Sequence, residues 1–517
     1  VKTRVTVEDI AEGTLHSLPS EPIGGQDGNS RKFEGDERYT DSICSKLLAA
    51  GEAGRLARHA DEDGAPWLHW DGKRLLREPG LCMYKHVQAL ALKLFTEADT
   101  VRVEWKALKK RINTEDDSEV VERLKREAKR VAARGAQLAR SAAHLESASG
   151  MSSVIKVATG EQAFRVKTAQ LDQHPHWLNL QNGTLDLETG KMIPQRIEHL
   201  LTKVAGTIYN PKATAPRWEK FLTQIIPDEA VRAFMQRSIG YSLCDDVSER
   251  CFWILHGTGR NGKGTFIDAI RRMLGDYAGT AASSVLMTKP NGDDKRNDVA
   301  ILRGARFVAC SESDDGQRIA EALVKQLAGG NDAITAWMMY AEFFSFMPTF
   351  KIFLATNHRP QIMGTDSAIW DRVRLVPFEV RIEETKQDRG LGAALAEELP
   401  GILNWALEGY RAWRRDGLQT PEPVRVATSE YREEMDVLGN WIADRCEVAL
   451  HLRGQASELY QSYKNWAITS GHHAMSSRTF GPKLVERGFK KVKDDTIWYH
   501  GLALALQAGS GGWREVQ

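Results

Sequence analysis

Residues 257–265 read GTGRNGKGT: a glycine, four residues, a second glycine and a lysine, at Gly257, Gly262 and Lys263. This spacing suits a loop whose backbone N–H groups turn inward onto phosphate oxygens while the lysine reaches the terminal phosphates of a nucleotide. Glycines at 257, 259, 262 and 264 tolerate the torsions such a loop requires. A hydroxyl residue usually follows the lysine to hold Mg²⁺. Here Gly264 occupies that place and the hydroxyl comes one residue later, at Thr265. The spacing predicts an ATP site built from Gly257, Thr258, Gly259, Arg260, Asn261, Gly262, Lys263, Gly264 and Thr265, with Thr265 as the Mg²⁺ contact.

Hydrolysis needs more than a cradle. A carboxylate at the C-terminal end of a neighbouring strand would orient the attacking water and help to hold Mg²⁺. Glu312, directly after the apolar run RFVACS, is the candidate; Asp314 and Asp315 beyond it also read as a solvated acidic loop. Asn357 ends KIFLATN, where an amide can hydrogen-bond a γ-phosphate or the water, or can simply start the turn towards Pro360. Arg372 and Arg374 stand at the start of VRLVPF. Their planar forks suit charge on a transferring phosphoryl group, in a ring reaching into the neighbour's site, and surface ion pairs are the alternative.

These residues require a particular scaffold. CFWILH, residues 251–256, is a short apolar run suited to a buried parallel strand, and Phe266, Ile267, Ile270 and Leu274 recur at helical spacing. Strand, loop and helix follow in order, so the loop ends on a helix N-terminus whose dipole favours an anion. Residues 306–311, 351–356 and 373–378 are three more apolar runs, which with the loop strand predict a parallel sheet flanked by helices. The segment 219–243, leading into the loop, is helical in pattern.

The chain of 517 residues carries a formal net charge of +1, so any nucleic-acid contact must come from local patches rather than a global basic field. Its six cysteines form no CxxC pair and no metal-ligand spacing, which reads as reduced, mostly buried thiols in a cytoplasmic protein. No apolar stretch approaches the roughly 20 residues of a membrane span. Residues 1–39 read as a flexible lead; 40–150 as an α+β region with a hairpin at Asp71-Gly72; 151–245 as a region ahead of the nucleotide core with turns at Asn182-Gly183 and Thr189-Gly190. Residues 246–420 hold the nucleotide core and 421–517 a winged-helix tail. From Val121 to Leu145 apolar residues recur three and four apart, a long helix that either packs within the chain or forms a coiled coil. In the tail, Ser476 and Ser477 cap a helix that Gly488 ends, unless Pro482 delays its start to about Gly481. That helix carries Arg478 and Lys483, and Lys490 and Lys491 lie near the wing, so helix and wing could contact DNA phosphates or be a solvated basic face.

Together GTGRNGKGT, SESDDG, ALVKQLAGGNDAITAW, FKIFLATNHRP and WDRVRLVPF resemble the superfamily 3 helicase core of phage and plasmid primase-helicases, the group that includes the poxvirus primase-helicase. NLQNGTLDL is similar to the family's region before that core, and residues 458–491 to its C-terminal winged helix. The resemblance implies an AAA+ P-loop fold and a hexameric, ATP- and Mg²⁺-dependent DNA helicase moving 3′ to 5′ in replication of a phage, prophage or plasmid-like element. It also implies single-stranded DNA in a central channel, duplex on the winged helix, and either a primase or polymerase partner or a domain upstream of Val1. The family's channel hairpin is basic, whereas residues 334–350 here contain no lysine or arginine. DNA grip would then fall to Trp337, Tyr340 or the loop with Lys289, Lys295 and Arg296. This feature sustains a second reading, an ATP-gated origin-binding or loading protein without processive unwinding. A small-metabolite kinase fits poorly, because it leaves Asn357 and the arginine pair without a role.

Overall fold

The computed structural model describes residues 40–52, 54–59, 67–78, 81–288, 297–311, 317–329, 332–337, 343–362, 367–472 and 474–505. The expected lead, 1–39, lies outside them. The chain divides into two compact units, Val1–Ala205 and Gly206–Gln517.

The first unit opens with α1 (Asp41–Glu52) and strands β1 (Leu56–His59), β2 (Trp67–Trp70) and β3 (Leu75–Glu78). The predicted hairpin joins β2 to β3: Asp71 Oδ1 accepts the N–H groups of Lys73 and Arg74, both at 2.8 Å, and Gly72 takes φ +95°. Helices α2 (Leu81–Ile112) and α3 (Ser118–Glu146) follow, α3 capped by Asp117, which accepts from the N–H groups of Glu119 and Val120. Leu138, Ala142 and Leu145 of α3 share one core with Val87, Leu94, Ala98 and Val101 of α2, so the apolar stripe is spent within the chain. Helix α4 (Ala148–Ala158) and Phe164 join that core. Strand β4 (Arg165–Val166) pairs with β1, and β5 (Trp177–Leu180), β6 (Gly183–Asp186) and β7 (Met192–Ile193) form an antiparallel sheet over both expected turns.

In the second unit the expected helix over 219–243 is two: α5 (Pro216–Ile225) and α6 (Glu229–Tyr241). Pro227 separates them, lacking an N–H and forcing its neighbour out of the helical region, and Asp228 caps α6 by accepting from Val231 N at 2.9 Å. Then come β8 (Phe252–His256), α7 (Lys263–Leu274), β9 (Ala278–Ala282), β10 (Phe307–Ser311), α8 (Glu321–Gly329), β11 (Ile334–Trp337), β12 (Phe343–Phe346), β13 (Lys351–Thr356) and β14 (Val373–Pro377). Five of these strands make an all-parallel sheet in the order β14-β8-β13-β10-β9. Its apolar residues are covered on both faces, as the unbroken hydrophobic runs require. Trp253 stacks on Phe353 with ring centroids 4.7 Å apart, and its indole N–H donates to Ser238 Oγ of α6 at 3.1 Å, which fixes the loop strand to the preceding helix.

Two buried cations hold the N-terminal ends of β10 and β13. Arg306 pairs with Asp245 and donates to Leu243 O at 2.6 Å, while Lys351 Nζ donates to Cys244 O at 2.5 Å. They satisfy carbonyls in the turn between α6 and β8; burial brings the Lys351 ammonium down to about 8. Lys351, the first basic residue after the β11–β12 hairpin, is therefore turned into the protein and away from any DNA.

Helix α9 (Leu399–Asp416) packs on α6, and α10 (Glu422–Met435) packs on the sheet: Tyr431 lies in the same core as Phe252 and Ile254, and Thr428 Oγ1 accepts Leu375 N at 3.0 Å. The C-terminal segment has its own core, running from Leu438 to Leu502. It comprises α11 (Val437–Arg445), β15 (Cys446–Gln455), α12 (Ala456–Thr469), α13 (Ser477–Glu486), β16 (Lys490–Lys493) and β17 (Ile497–Leu504), with sheet order β15-β17-β16. Ser476 caps α13 by accepting from Thr479 N at 3.3 Å, so Pro482 sits inside the helix and does not delay its start. None of the described helices is long and apolar enough to cross a membrane. All six cysteines are free thiols, and all but Cys446 are buried.

Candidate functional site

The glycine-rich loop leaves β8 at the C-terminal edge of the sheet and enters α7 at Lys263. Its glycines have different physical reasons. A Cβ at Gly257 would lie 2.2 Å from Phe378 O, so that place admits no side chain. Gly262 combines φ +80° with a would-be Cβ 2.6 Å from Ile225 Cγ2. At Gly259, with φ +90°, and at Gly264 a Cβ would meet nothing within 4 Å, so the loop's surface is open there. Asn261 is buried and donates through Nδ2 to Phe378 O at 3.1 Å, which pins the loop to the end of β14; its side chain serves the loop's shape. Thr258 is exposed and Thr265 half-buried in the first turn of α7, while Arg260 pairs with Glu384 at 3.5 Å on the surface. An open loop that delivers a helix start, with a lysine beneath, is a geometry suited to an anionic group, and Thr265 lies in that first turn.

Lys263 is only 7% exposed, and its ammonium donates to Gly257 O at 2.6 Å and to Asn357 Oδ1 at 3.1 Å. The two residues are 94 apart in sequence and meet because β13 pairs directly with β8, Thr356 opposite His256. Strand β10, which leads to Glu312, lies one strand further out. Glu312 lies outside the described residues, as do Asp314, Asp315, Lys289, Lys295, Arg296 and Tyr340. Trp337 ends β11, and its side chain is likewise outside them.

Arg372 and Arg374 are not brought to this loop. Phe252 N donates to Arg372 O and Val373 pairs with Phe252, so both arginines sit at the start of the parallel strands, whereas the loop follows their ends. Five residues of strand put about 16 Å between the two edges. Arg372 Nη1 donates to Ala368 O at 2.6 Å and Arg374 Nη1 to Asp371 O at 2.8 Å; the Nε of each is buried without a hydrogen-bond partner among the described residues. In the C-terminal segment Arg478, Lys490 and Lys491 are exposed, and Lys483 pairs with Glu486 at 3.0 Å.

Two site residues escaped the sequence pattern. His256, the last residue of β8, is half-buried; burial, then Arg359 and Lys263, push its imidazole below the usual range, so it is neutral near pH 7. Arg359, two residues past Asn357, pairs with Glu434 at 2.6 Å. Its place in TNHRP was the available signal.

A family model described as D5 N terminal like matches residues 57–227, and a second, described as a family of unknown function, matches 255–372. A protein of Acanthamoeba polyphaga mimivirus named "putative helicase" is 28% identical over 320 residues, 57% of this chain and 33% of its own length. One of African swine fever virus named "putative primase" is 25% identical over 212 residues, 40% of this chain and 22% of its own. The chain is thus similar to viral proteins named as putative helicases and putative primases. It spans about a third or less of the length of these relatives. The second match runs from Leu255 to Arg372 and so takes in the loop, Asn357 and the first of the two arginines. The solved C terminal region of NrS-1 aligns with a TM-score of 0.39 at 11% identity, over 57% of this chain and 77% of that one.

Proposed function

We propose that the chain is the motor of a DNA-replication helicase: a superfamily 3, AAA+ P-loop ATPase that unwinds duplex DNA as a hexameric ring, 3′ to 5′. The observation that carries this reading is the contact of Lys263 with Asn357, which joins the loop strand to its sheet neighbour beneath an open helix N-terminus. Bound ATP with Mg²⁺ would supply the phosphoryl group and its charge neutralisation. Lys263 and the loop N–H groups would hold the phosphates, Asn357 would orient the γ-phosphate or water, Thr265 and Glu312 would hold the Mg²⁺, and Glu312 would act on the water. Arg372, on the edge away from its own loop, would serve a neighbour's site, with Arg374 beside it. The relatives' names support the replication role. The helix and strand order from Val437 to Leu504 supports a winged helix contacting duplex DNA through Arg478, Lys483, Lys490 and Lys491. On this reading residues 246–420 are the motor, 151–245 its collar and 421–517 the tail.

Lys263→Ala tests the site: ATP binding and hydrolysis should both be lost, because the cationic contact to the terminal phosphates is gone. Undiminished turnover would remove the loop from the mechanism. The second reading, an ATP-gated loader, is favoured by one observation: β11 and β12 carry no basic residue, and Lys351 beyond them is buried. ATP-driven strand separation of a fork with a 3′ tail, alongside the mass of the assembly with ATP and single-stranded DNA, separates the two. Tight DNA binding without unwinding would select the loader.

A further inference from the structure

The chain beyond Asn357 turns away from the sheet through His358 and Arg359 to Pro360, and helix α10 grips this turn at two points. Tyr431 donates its hydroxyl to Pro360 O, and Glu434 holds Arg359 at 2.6 Å. The Arg359 guanidinium also lies 5.9 Å from the centre of the Tyr431 ring. Both members of the ion pair are accessible, at 28% and 50% of their side-chain surface, so the pair is open to exchange. Arg359 follows by two residues Asn357, whose Oδ1 accepts from Lys263 at 3.1 Å, and together with Lys263 it disfavours a proton on His256, the residue from which the loop departs. One arginine therefore stands between a carboxylate on α10 and the place proposed for the terminal phosphate.

We propose that Arg359 is a positioning residue for the nucleotide, held by Glu434 when the γ-phosphate is absent and transferred to that phosphate when ATP binds, so that α10 is tethered or released according to the nucleotide. The proposal rests on the reading of the loop as an ATP site. A guanidinium offers five donors in a fixed fork and prefers a dianionic terminal phosphate to a single, half-exposed carboxylate. ADP, one phosphate shorter, gives it nothing to move to. Release has a mechanical outlet: α10 ends at Asp436, which caps α11 by accepting from Gly439 N at 3.0 Å and pairs with Arg487, directly after α13. A cleft of about 490 Å³ beside α10, lined in part by Trp370, Arg432, Asp436 and Arg487, leaves room for the helix to shift. The turn after Asn357 is thereby connected to the segment that carries the exposed lysines of β16.

The test uses the full chain with Mg²⁺ and compares ADP with the slowly hydrolysed analogue ATPγS, by displacement of a fluorescent nucleotide. Glu434→Gln removes the competitor for Arg359 and should strengthen ATPγS binding about three- to fivefold, leaving ADP unchanged. Arg359→Ala should weaken ATPγS about tenfold or more, again sparing ADP. An ion pair that merely supports the fold would move both variants in one direction, or both nucleotides together, and either result overturns the proposal. Hydrogen exchange supplies a second readout: ATPγS relative to ADP should speed exchange across residues 422–436 in the wild-type chain and have no such effect in Glu434→Gln. Equal exchange with both nucleotides in the wild type also overturns it. Binding of neither nucleotide by the folded wild-type chain would refute the reading of the loop itself, a result distinct from the others.

Discussion

Gly262 and Gly264 lie two residues apart in one loop, yet the structure predicts opposite consequences for the same substitution. At Gly262 an alanine must hold φ +80°, which costs about 1–2 kcal/mol. Its Cβ would also sit 2.6 Å from Ile225 Cγ2 and 3.0 Å from Phe221 Cε2, both on α5 and both buried, and such overpacking adds about 1–3 kcal/mol. Gly262→Ala should therefore lose about 2–5 kcal/mol, a fall in Tm of about 4–10 °C for a unit of this size. At Gly264 the backbone is helical and a Cβ meets nothing within 4 Å, so Gly264→Ala should gain about 0.5 kcal/mol. The assay is thermal unfolding of the full chain without nucleotide, followed by ADP titration. Gly264→Ala keeps its N–H and should keep ADP affinity within about threefold. If Gly262→Ala melts with the wild type, or Gly264→Ala is the less stable of the two, the account of the loop is wrong.

Three further outcomes are expected. Arg372→Ala should retain ATP binding but lose hydrolysis by about 10³-fold or more, and mixing it with Lys263→Ala should restore activity through interfaces that pair an intact loop with an intact arginine; normal turnover by Arg372→Ala alone would refute the role. Burial raises the Cys310 thiol from 9.0 to about 12, so its stabilising contribution is complete below pH 9 and is lost as pH rises towards 12, about 2–3 kcal/mol by pH 11. Urea unfolding of Cys310→Ala from pH 9 to 11 should accordingly show a slope shallower than the wild type by about 1.4 kcal/mol per pH unit, and parallel slopes would contradict this. Replacing Lys490, Lys491 and Lys493 by alanine should flatten the salt dependence of duplex binding by up to about 0.9 per lost phosphate contact while ATPase activity persists; an unchanged slope would exclude these lysines from DNA contact.

What the sequence disclosed follows from how local each signal is. The loop strand and α7 were legible because an apolar run, glycine spacing and helical periodicity are contiguous. Strand β9, AGTAA, was not: it has no β-branched apolar or aromatic residue and is a strand only because the edge of β10 accepts it. The 32-residue α2 did carry a readable stripe, Val87, Leu90, Leu94, Ala98 and Val101, which complements that of α3. Sheet order was beyond reach, since nothing in either segment says that β13 rather than β10 lies beside β8; the meeting of Lys263 with Asn357 depends on that order. For the same reason Arg359 and Glu434, 75 residues apart, gave no sign of each other. Nothing local marks Lys351 for burial, because sequence does not reveal that the turn after α6 leaves a carbonyl for a buried cation to satisfy.

The strands of one sheet give the loop and the arginine pair opposite ends, and this has a consequence for how the protein would behave in a test tube. On the reading proposed above, no solitary chain can hold both halves of a working catalyst, so turnover per chain is not a constant of the molecule. It would fall with dilution, following the dissociation of neighbours, while the capacity to bind nucleotide stayed level. A preparation could thus be fully folded, fully loaded and idle, and be revived only by concentrating it or by threading it on a strand that gathers the copies together.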